Sequence, residues 1–314
     1  MAKARWDLPA PTYRREINEI KRIYKGAINE VIITLESLST RGASKDISRL
    51  QMQSVLAQIS VLLGQLDADS NDWVRSRVEE SFIDGQAEAL LNIGEAKTLK
   101  EARSMVAGAH MSALVTESIN VIVEDTFEDL LYANNKMKRE TVKMVREVVA
   151  EQTKLKAVQG QGLRTTKKSI IENLSKKDIR ERFDVEGNVA IVDRRGRRWK
   201  LDTYAEMVTR TKMTQAHVEG IRIEALERGI DLAIVSSHGA KDACRHFEGQ
   251  IISMNGYTEG FPTYDELRRS NLIFHPNCKH KVTPIRDINI LPPAVRKKYE
   301  EGVKNAKKAL KQAK

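Results

Sequence analysis

The chain has 314 residues and a formal net charge of +10, with 31% charged, 41% hydrophobic and 5% aromatic residues. This composition is typical of a soluble, helix-rich protein of one to three domains, and no apolar stretch approaches the roughly 20 residues that a transmembrane helix needs. The N-terminal residues lack the apolar segment of a secretory signal and the chain has two cysteines, so we expect a reducing compartment. The basic charge favours a polyanionic partner, although a solvated basic surface would give the same balance.

The first half of the chain predicts a series of amphipathic helices, because apolar residues recur at three- and four-residue steps. After a first helix, Asp46 is the predicted cap of a second one. Asn71 or Asp72 is the predicted cap of a third. Residues 105–131 and 138–158 predict a fourth and a fifth helix. Apolar residues at these spacings are typical of helix–helix contacts rather than of a cofactor site.

The periodicity changes after a short basic helical segment at residues 165–183. Two apolar runs, at residues 189–193 and 199–201, predict a β-hairpin. The turn of this hairpin is strongly basic, which suits contact with phosphates rather than with bases. Its cationic residues are Arg194, Arg195, Arg197, Arg198 and Lys200.

Helical periodicity returns in residues 204–228, and Gly229 ends this helix. Glu219, Glu224 and Glu227 lie on it and are interpreted as a solvated face. A further short helix at residues 263–269 starts with acidic residues, as the helix dipole favours. Short apolar runs predict the strands of a small sheet at residues 232–236, 250–254 and 281–283.

The end of the chain predicts a polar, basic helix that is exposed or depends on a partner. From residue 294 onwards it contains eight lysines and arginines against two glutamates. We expect these cations to contact DNA phosphates without sequence preference. They are Arg296, Lys297, Lys298, Lys304, Lys307, Lys308, Lys311 and Lys314.

The predicted fold class is therefore α+β, with a long and mainly α-helical N-terminal region. We assign residues 1–160 to this helical region and residues 161–202 to a basic linker with the β-hairpin. Residues 203–292 form the α+β module, and residues 293–314 form the basic C-terminal helix.

Cysteine and histidine residues are concentrated in one part of the predicted α+β module. Both cysteines and four of the six histidines fall between positions 238 and 280. Two short clusters of such residues, brought together by the fold, are the usual source of the four ligands of a structural Zn²⁺ site. The candidates are His238, Cys244 and His246 in the first cluster and His275, Cys278 and His280 in the second.

The spacing of these residues is also compatible with roles other than structural zinc binding. The cysteines could be small buried apolar residues, a Cys244–Cys278 disulfide, or one half of a catalytic Cys–His pair. No oxyanion-hole pattern accompanies such a pair. A metal-dependent nuclease or other hydrolase would use His238, His246 or His275 around a metal with an open coordination position.

A succession of short motifs resembles the phage minor capsid, or head-morphogenesis, proteins of the Mu F-like type. The resemblance covers residues 204–285, and the helices before it agree in general character. Relatives commonly have a second cysteine three residues after the first, where this chain has Phe247, which leaves His246 or His238 to complete a metal site. The motifs are RTK at 210–212, ALERG at 225–229, VSSH at 235–238, CRHFEGQIIS at 244–253, FPTYDEL at 261–267 and FHPNCKH at 274–280.

This resemblance implies a structural virion component rather than an enzyme. The expected partners are the phage portal protein, the major capsid protein or scaffold, and double-stranded DNA bound non-specifically. The expected location is the head interior or portal vertex of the virion, with the host cytoplasm during assembly. A cellular nucleic-acid-binding protein without a virion is the third hypothesis, beside the metal-dependent hydrolase.

Overall fold

The computed structural model describes residues 10–40, 49–109, 111–159, 191–192, 198–199, 201–291 and five positions between 293 and 299. These residues form long helices, a two-stranded hairpin and a small three-stranded sheet, which confirms the α+β class with a helical N-terminal region. The helices are α1 (Arg14–Thr40), α2 (Arg49–Ile93), α3 (Leu99–Gly108), α4 (Ala113–Gln159), α5 (Leu201–Glu227) and α6 (Tyr264–Arg269). The strands are β1 (Ile191–Val192), β2 (Arg198–Trp199), β3 (Leu232–Val235), β4 (Ile251–Ser253) and β5 (Val282–Pro284).

Helix α2 is continuous where the sequence predicts a boundary at Asn71 or Asp72, so that prediction is wrong. The reason is a buried stripe at four-residue spacing, formed by Leu66, Val74 and Val78 together with Ser70. Burial of this stripe outweighs the weak preference of Asn and Asp for helix caps. The cap of the second helix predicted at Asp46 lies outside the described residues.

The predicted break between a fourth and a fifth helix is also misplaced. Helix α4 runs without interruption through residues 131–138, and the actual break separates α3 from α4. Thr98 caps α3 by accepting a hydrogen bond from the Glu101 backbone N–H at 3.1 Å, and the Ser112 hydroxyl accepts from Val115 N–H at 3.3 Å. Among the described helices, none alone is long and apolar enough to cross a membrane; only the bent pair Leu99–Gly108 and Ala113–Glu147 meets that test jointly, by length and composition.

The described residues fall into two compact units. One unit comprises parts of Arg15–Val74 and Phe127–Met207, and it contains α1 and the hairpin. Its core includes Tyr24, Ile59 and Leu130, each of which is fully buried. In the hairpin, Ile191 pairs with Trp199 in antiparallel register, and both residues lie in the runs that the sequence predicts as strands. Leu201, which the second of these runs includes, belongs to α5 instead.

The other unit comprises parts of Met1–Arg14, Arg75–Thr126 and Val208–Lys314, and it contains the three-stranded sheet. The sheet is antiparallel, in the order β4–β3–β5. One core cluster includes Ala233 and Val235 of β3, and another includes Ile234 of the same strand, as alternation along a strand requires. Cys244 and Cys278 both belong to the first of these clusters.

Within the same unit, α2 and α5 cross with their backbones in close contact. A Cβ atom added at Gly85 would lie 2.0 Å from the carbonyl oxygen of His217, and one added at Gly220 would lie 2.1 Å from that of Phe82. Only glycine fits at these two positions. The contact places the Glu88 turn of α2 beside α5, and both helices contribute to the core cluster that contains the cysteines.

Candidate metal centre

Two tight turns bring the cysteines of the two clusters together. Cys244 lies in a short 3-10 turn, Ala243–His246, which is capped by the Asp242 carboxylate through the Cys244 backbone N–H at 3.1 Å. Cys278 closes a second turn, in which its N–H donates to the His275 carbonyl at 2.9 Å. Pro276 and Asn277, with φ of 65° at Asn277, suit the two central positions of a type II turn.

The compact centre of the cluster consists of Cys244, Cys278 and His280. The two Sγ atoms are 3.8 Å apart, and Cys278 Sγ is 3.2 Å from His280 Nδ1. Possible ligand atoms of all three residues lie within 4.8 Å of one another, and all three residues are buried. This group could hold a metal ion.

The sulfur–sulfur distance fits a tetrahedral zinc centre closely. Two Zn–S bonds of about 2.3 Å at a tetrahedral angle place the sulfurs about 3.8 Å apart. A sulfur and a nitrogen in the same geometry are about 3.6 Å apart, whereas Cys278 Sγ and His280 Nδ1 are 3.2 Å apart. Binding therefore requires the imidazole to withdraw by a few tenths of an ångström, while the cysteines are already in place.

His275 is the nearest candidate for a fourth ligand. Its Nε2 is 2.9 Å from Cys244 Sγ and 3.4 Å from the Asp242 carboxylate. Its Nδ1 is 2.9 Å from the Pro276 carbonyl, which can only accept a hydrogen bond, so Nδ1 carries a proton and Nε2 is the nitrogen that faces the cluster. His275 forms a separate group with Asp242 and Cys244. A four-ligand centre therefore needs His275, which is 24% exposed, to move toward Cys278.

The remaining two histidines occupy different positions. The His238 ring lies 4.2 Å from the His280 ring, centroid to centroid, and forms a third possible metal group with His280 and Glu248. His246 belongs to none of these groups among the described residues; its Nε2 lies 3.4 Å from the Arg245 guanidinium. The fully buried Phe247 is part of the core cluster.

Glu248 lies beside His280 and is held by the backbone. Its Oε1 accepts the N–H groups of His238 and Ala240, each at 2.9 Å, and lies 3.4 Å from His280 Nε2. Burial alone would raise the pKa of Glu248, but these hydrogen bonds lower it to about 2. The carboxylate is therefore charged at neutral pH.

The two cysteines have pKa values shifted in opposite directions. A hydrogen bond from the Cys244 thiol lowers the pKa of Cys278, assisted by His280. The same contact, together with burial, raises the pKa of Cys244. Burial opposes charge on His280, yet its contacts with Cys278 and Glu248 leave its pKa raised. The surroundings of Cys278 thus favour the thiolate, the form of cysteine that binds metals.

Most of the predicted DNA-binding residues lie outside the described part of the chain. Arg198 begins β2, Arg296 is half-buried and Lys297 is exposed. No structural description applies to Arg194, Arg195, Arg197, Lys200, Lys298, Lys304, Lys307, Lys308, Lys311 and Lys314.

A buried ionic group near the cluster was not anticipated from the sequence. Glu88 accepts a hydrogen bond from Lys281 and lies 2.9 Å from His217 Nε2, and all three residues are buried. Burial raises the pKa of Glu88, but His217 and Lys281 outweigh this effect and lower it. Glu224 is buried too, and it bonds Gln86 at 2.8 Å, so its assignment to a solvated face is wrong.

Together, the fold and the cluster define a mainly helical protein that carries a small antiparallel sheet and Cys/His groups that could hold a metal. The model of a family described as phage minor capsid protein 2 matches residues 15–314, nearly the whole chain. The chain therefore belongs to this family of phage minor capsid proteins, which have a structural role in the virion. No curated protein and no solved structure matches the chain. The match confirms the minor-capsid resemblance and extends it from residues 204–285 to the N-terminal helices.

Proposed function

We propose that this protein is a non-enzymatic component of the phage head that associates with the portal vertex and contacts packaged DNA. The family match over residues 15–314 carries this proposal, because it covers the helical region as well as the module. The helical region of residues 1–160 is the proposed docking surface for the portal, the major capsid protein or scaffold. Purified protein should comigrate with portal assemblies in size-exclusion chromatography and be found at one vertex of assembled heads. Uniform labelling of the capsid shell would contradict the portal assignment.

A structural zinc ion is proposed to crosslink the α+β module. Its proposed ligands are Cys244, His275, Cys278 and His280. The sulfur spacing of 3.8 Å and the position of His275 Nε2, 2.9 Å from Cys244 Sγ, support this ligand set. Structural zinc sites are closed by four protein ligands, whereas catalytic sites keep an open position. The cysteines are 2% and 6% exposed and His280 is fully buried, which favours a structural centre over a hydrolase.

Elemental analysis of the purified protein tests the zinc proposal. We expect one zinc per chain and a lower melting temperature after chelation. His275→Ala should reduce zinc content, while His246→Ala serves as the matched control and should not. A loss with His238→Ala but not with His275→Ala would overturn the choice of fourth ligand. Cleavage of plasmid DNA with Mg²⁺, Mn²⁺ or Zn²⁺, abolished by His275→Ala, would instead favour the metal-dependent hydrolase.

DNA contact is proposed for the hairpin turn, the basic tail and one face of α4. The face of α4 forms an open depression lined by four cations, by Val142 and by Glu147. Lys143 is 3.8 Å from Glu147, at exposed positions where such a pair contributes little. The clustered charge supports binding to phosphates. The four cations are Lys138, Arg139, Lys143 and Arg146.

The salt dependence of DNA binding tests this surface. Each phosphate that the protein neutralises contributes a slope of about −0.9 to the plot of log K against log salt. Replacing the four α4 cations by glutamine should therefore reduce the slope by up to about 3.6. Binding that ignores salt, or that depends strongly on sequence, would contradict phosphate contact. The matched control replaces four other exposed cations by glutamine: Arg22, Lys25, Lys97 and Lys100.

A further inference from the structure

Glu248 connects the two halves of the Cys/His cluster through one oxygen atom. Its Oε1 accepts the backbone N–H groups of His238 and Ala240 at 2.9 Å and faces His280 Nε2 at 3.4 Å. The other ring nitrogen of His280 lies 3.2 Å from Cys278 Sγ. The His280 side chain is fully buried, and that of Glu248 is 10% exposed. Each ring nitrogen of this imidazole therefore has a defined partner.

We infer that Glu248 is a positioning residue for the proposed zinc centre, because it fixes Nε2 as the protonated nitrogen of His280 and leaves Nδ1 to bind the metal. This inference rests on the proposed zinc site. A charged carboxylate can only accept hydrogen bonds, so the nitrogen beside it keeps its proton. In zinc proteins, a histidine ligand commonly donates its second N–H to a carboxylate, which fixes the orientation of the ring.

A second arrangement competes with this one. Glu248, His238 and His280 have possible ligand atoms within 4.8 Å of one another, so Glu248 could itself be a ligand and His280 would then bind through Nε2. The geometry points away from it. Oε1 already accepts two backbone N–H groups, and His238 is exposed. Binding through Nδ1 places the metal beside two buried sulfurs, which zinc prefers.

Two substitutions separate the hydrogen-bonding role of Glu248 from its charge. Glu248→Gln keeps an Oε1 acceptor for all three donors, whereas Glu248→Ala removes it. Zinc affinity is measured in the full-length protein by competition with a chromophoric chelator. We expect a loss of about 10- to 100-fold for Glu248→Ala, as for other carboxylates that support histidine ligands, and a smaller loss for Glu248→Gln.

The control is Asp231, another carboxylate of the same unit that organises a loop without touching a histidine. It accepts hydrogen bonds from Ser253 Oγ at 2.6 Å, Asn255 N–H at 3.0 Å and Thr258 N–H at 2.9 Å. Asp231→Asn and Asp231→Ala should lower the melting temperature without changing zinc affinity. A general loss of folding would lower both the melting temperature and the zinc affinity, and it would do so in the Asp231 variants as well as in the Glu248 variants.

Nitrogen-15 NMR of the zinc-loaded protein reports which ring nitrogen of His280 binds the metal. A purely structural role of Glu248 would not change that nitrogen. The expected result is zinc on Nδ1 of His280 in the wild type and a mixture of nitrogens, or loss of the bound signal, in Glu248→Ala. Zinc on Nε2 in the wild type would overturn the inference in favour of direct ligation by Glu248. The inference would also be overturned if Glu248→Ala had the zinc affinity of the wild type and still bound zinc through the same nitrogen of His280. A wild-type protein that binds no zinc would remove the proposed centre itself, a distinguishable result.

Discussion

Replacing Gly85 by alanine is expected to destabilise the unit that contains the sheet. The added Cβ would meet the His217 carbonyl oxygen at 2.0 Å, and ordinary van der Waals contact begins at 3.4 Å. The backbones of α2 and α5 would therefore separate by about 1.4 Å, because no side-chain rotation moves a carbonyl away. His217 lies 2.9 Å from Glu88, so separation also weakens that buried contact.

The expected free-energy change has two opposing parts. Alanine in place of an interior glycine favours a helix by about 1 kcal/mol. Overpacking costs about 1–3 kcal/mol where side chains can adjust, and a backbone contact places the cost at or above that upper end. We therefore expect Gly85→Ala to lose about 2–4 kcal/mol of unfolding free energy.

Gly64 is the matched control, because it lies in the same helix with nothing within 4 Å of an added Cβ. Gly64→Ala should gain about 0.5–1 kcal/mol from helix propensity alone. The assay is urea unfolding followed by circular dichroism at 222 nm, with Gly85→Ala, Gly220→Ala and Gly64→Ala compared in parallel. If Gly85→Ala were as stable as Gly64→Ala, the backbone contact between α2 and α5 would be refuted.

Three further changes probe the same unit. Lys281→Met leaves Glu88 without one buried partner and should cost about 3–5 kcal/mol in urea unfolding; a cost below about 1 kcal/mol would show that water reaches the pair. Cys278→Ser should abolish the effect of a chelator on the melting temperature, and a variant that still responds would place the metal elsewhere. Hydrogen bonds lower the pKa of Asp231 against the effect of burial, so its contribution to stability is present above its unfolded pKa and is lost as pH falls through the lower folded value. Asp231→Asn should therefore cost about 1–2 kcal/mol at pH 7, a difference that shrinks below about pH 4; a difference that persists at low pH would contradict the charge-based account.

The parts of the site that could be predicted from the sequence are those with a local signal, namely the residue types that bind metals and the turn between them. Spacing alone brings Cys244 and Cys278 into one hypothesis, and the two sulfurs are 3.8 Å apart. The turn at Pro276 is predictable from the sequence, because proline favours the second position of a β-turn. Glu248 is missed, because a glutamate between two clusters has no metal-binding signature of its own.

The interactions between distant parts of the chain could not be predicted. Glu88 and Lys281 are in contact although 193 residues separate them in the sequence, and no feature of the sequence identifies them as partners. Gly85 and Gly220 are isolated glycines inside helices, and such a glycine usually indicates a locally weaker helix rather than a contact. Asn71 and Asp72 mislead for the opposite reason: their local preference is real, but burial of the stripe through Val74 decides the helix.

The unit that contains the sheet is assembled from three chain segments, which has a kinetic consequence. The Tyr13 hydroxyl donates to the Met213 carbonyl at 3.1 Å, a pairing across 200 residues. Such distant contacts slow folding, because the entropy of closing a long loop is lost before any contact forms. During synthesis, the surface of α2 around Glu88 stays uncovered until Lys281 has been made, 193 residues later. The unit that holds the cysteines is completed only then, and in the interval its uncovered surfaces are open to aggregation.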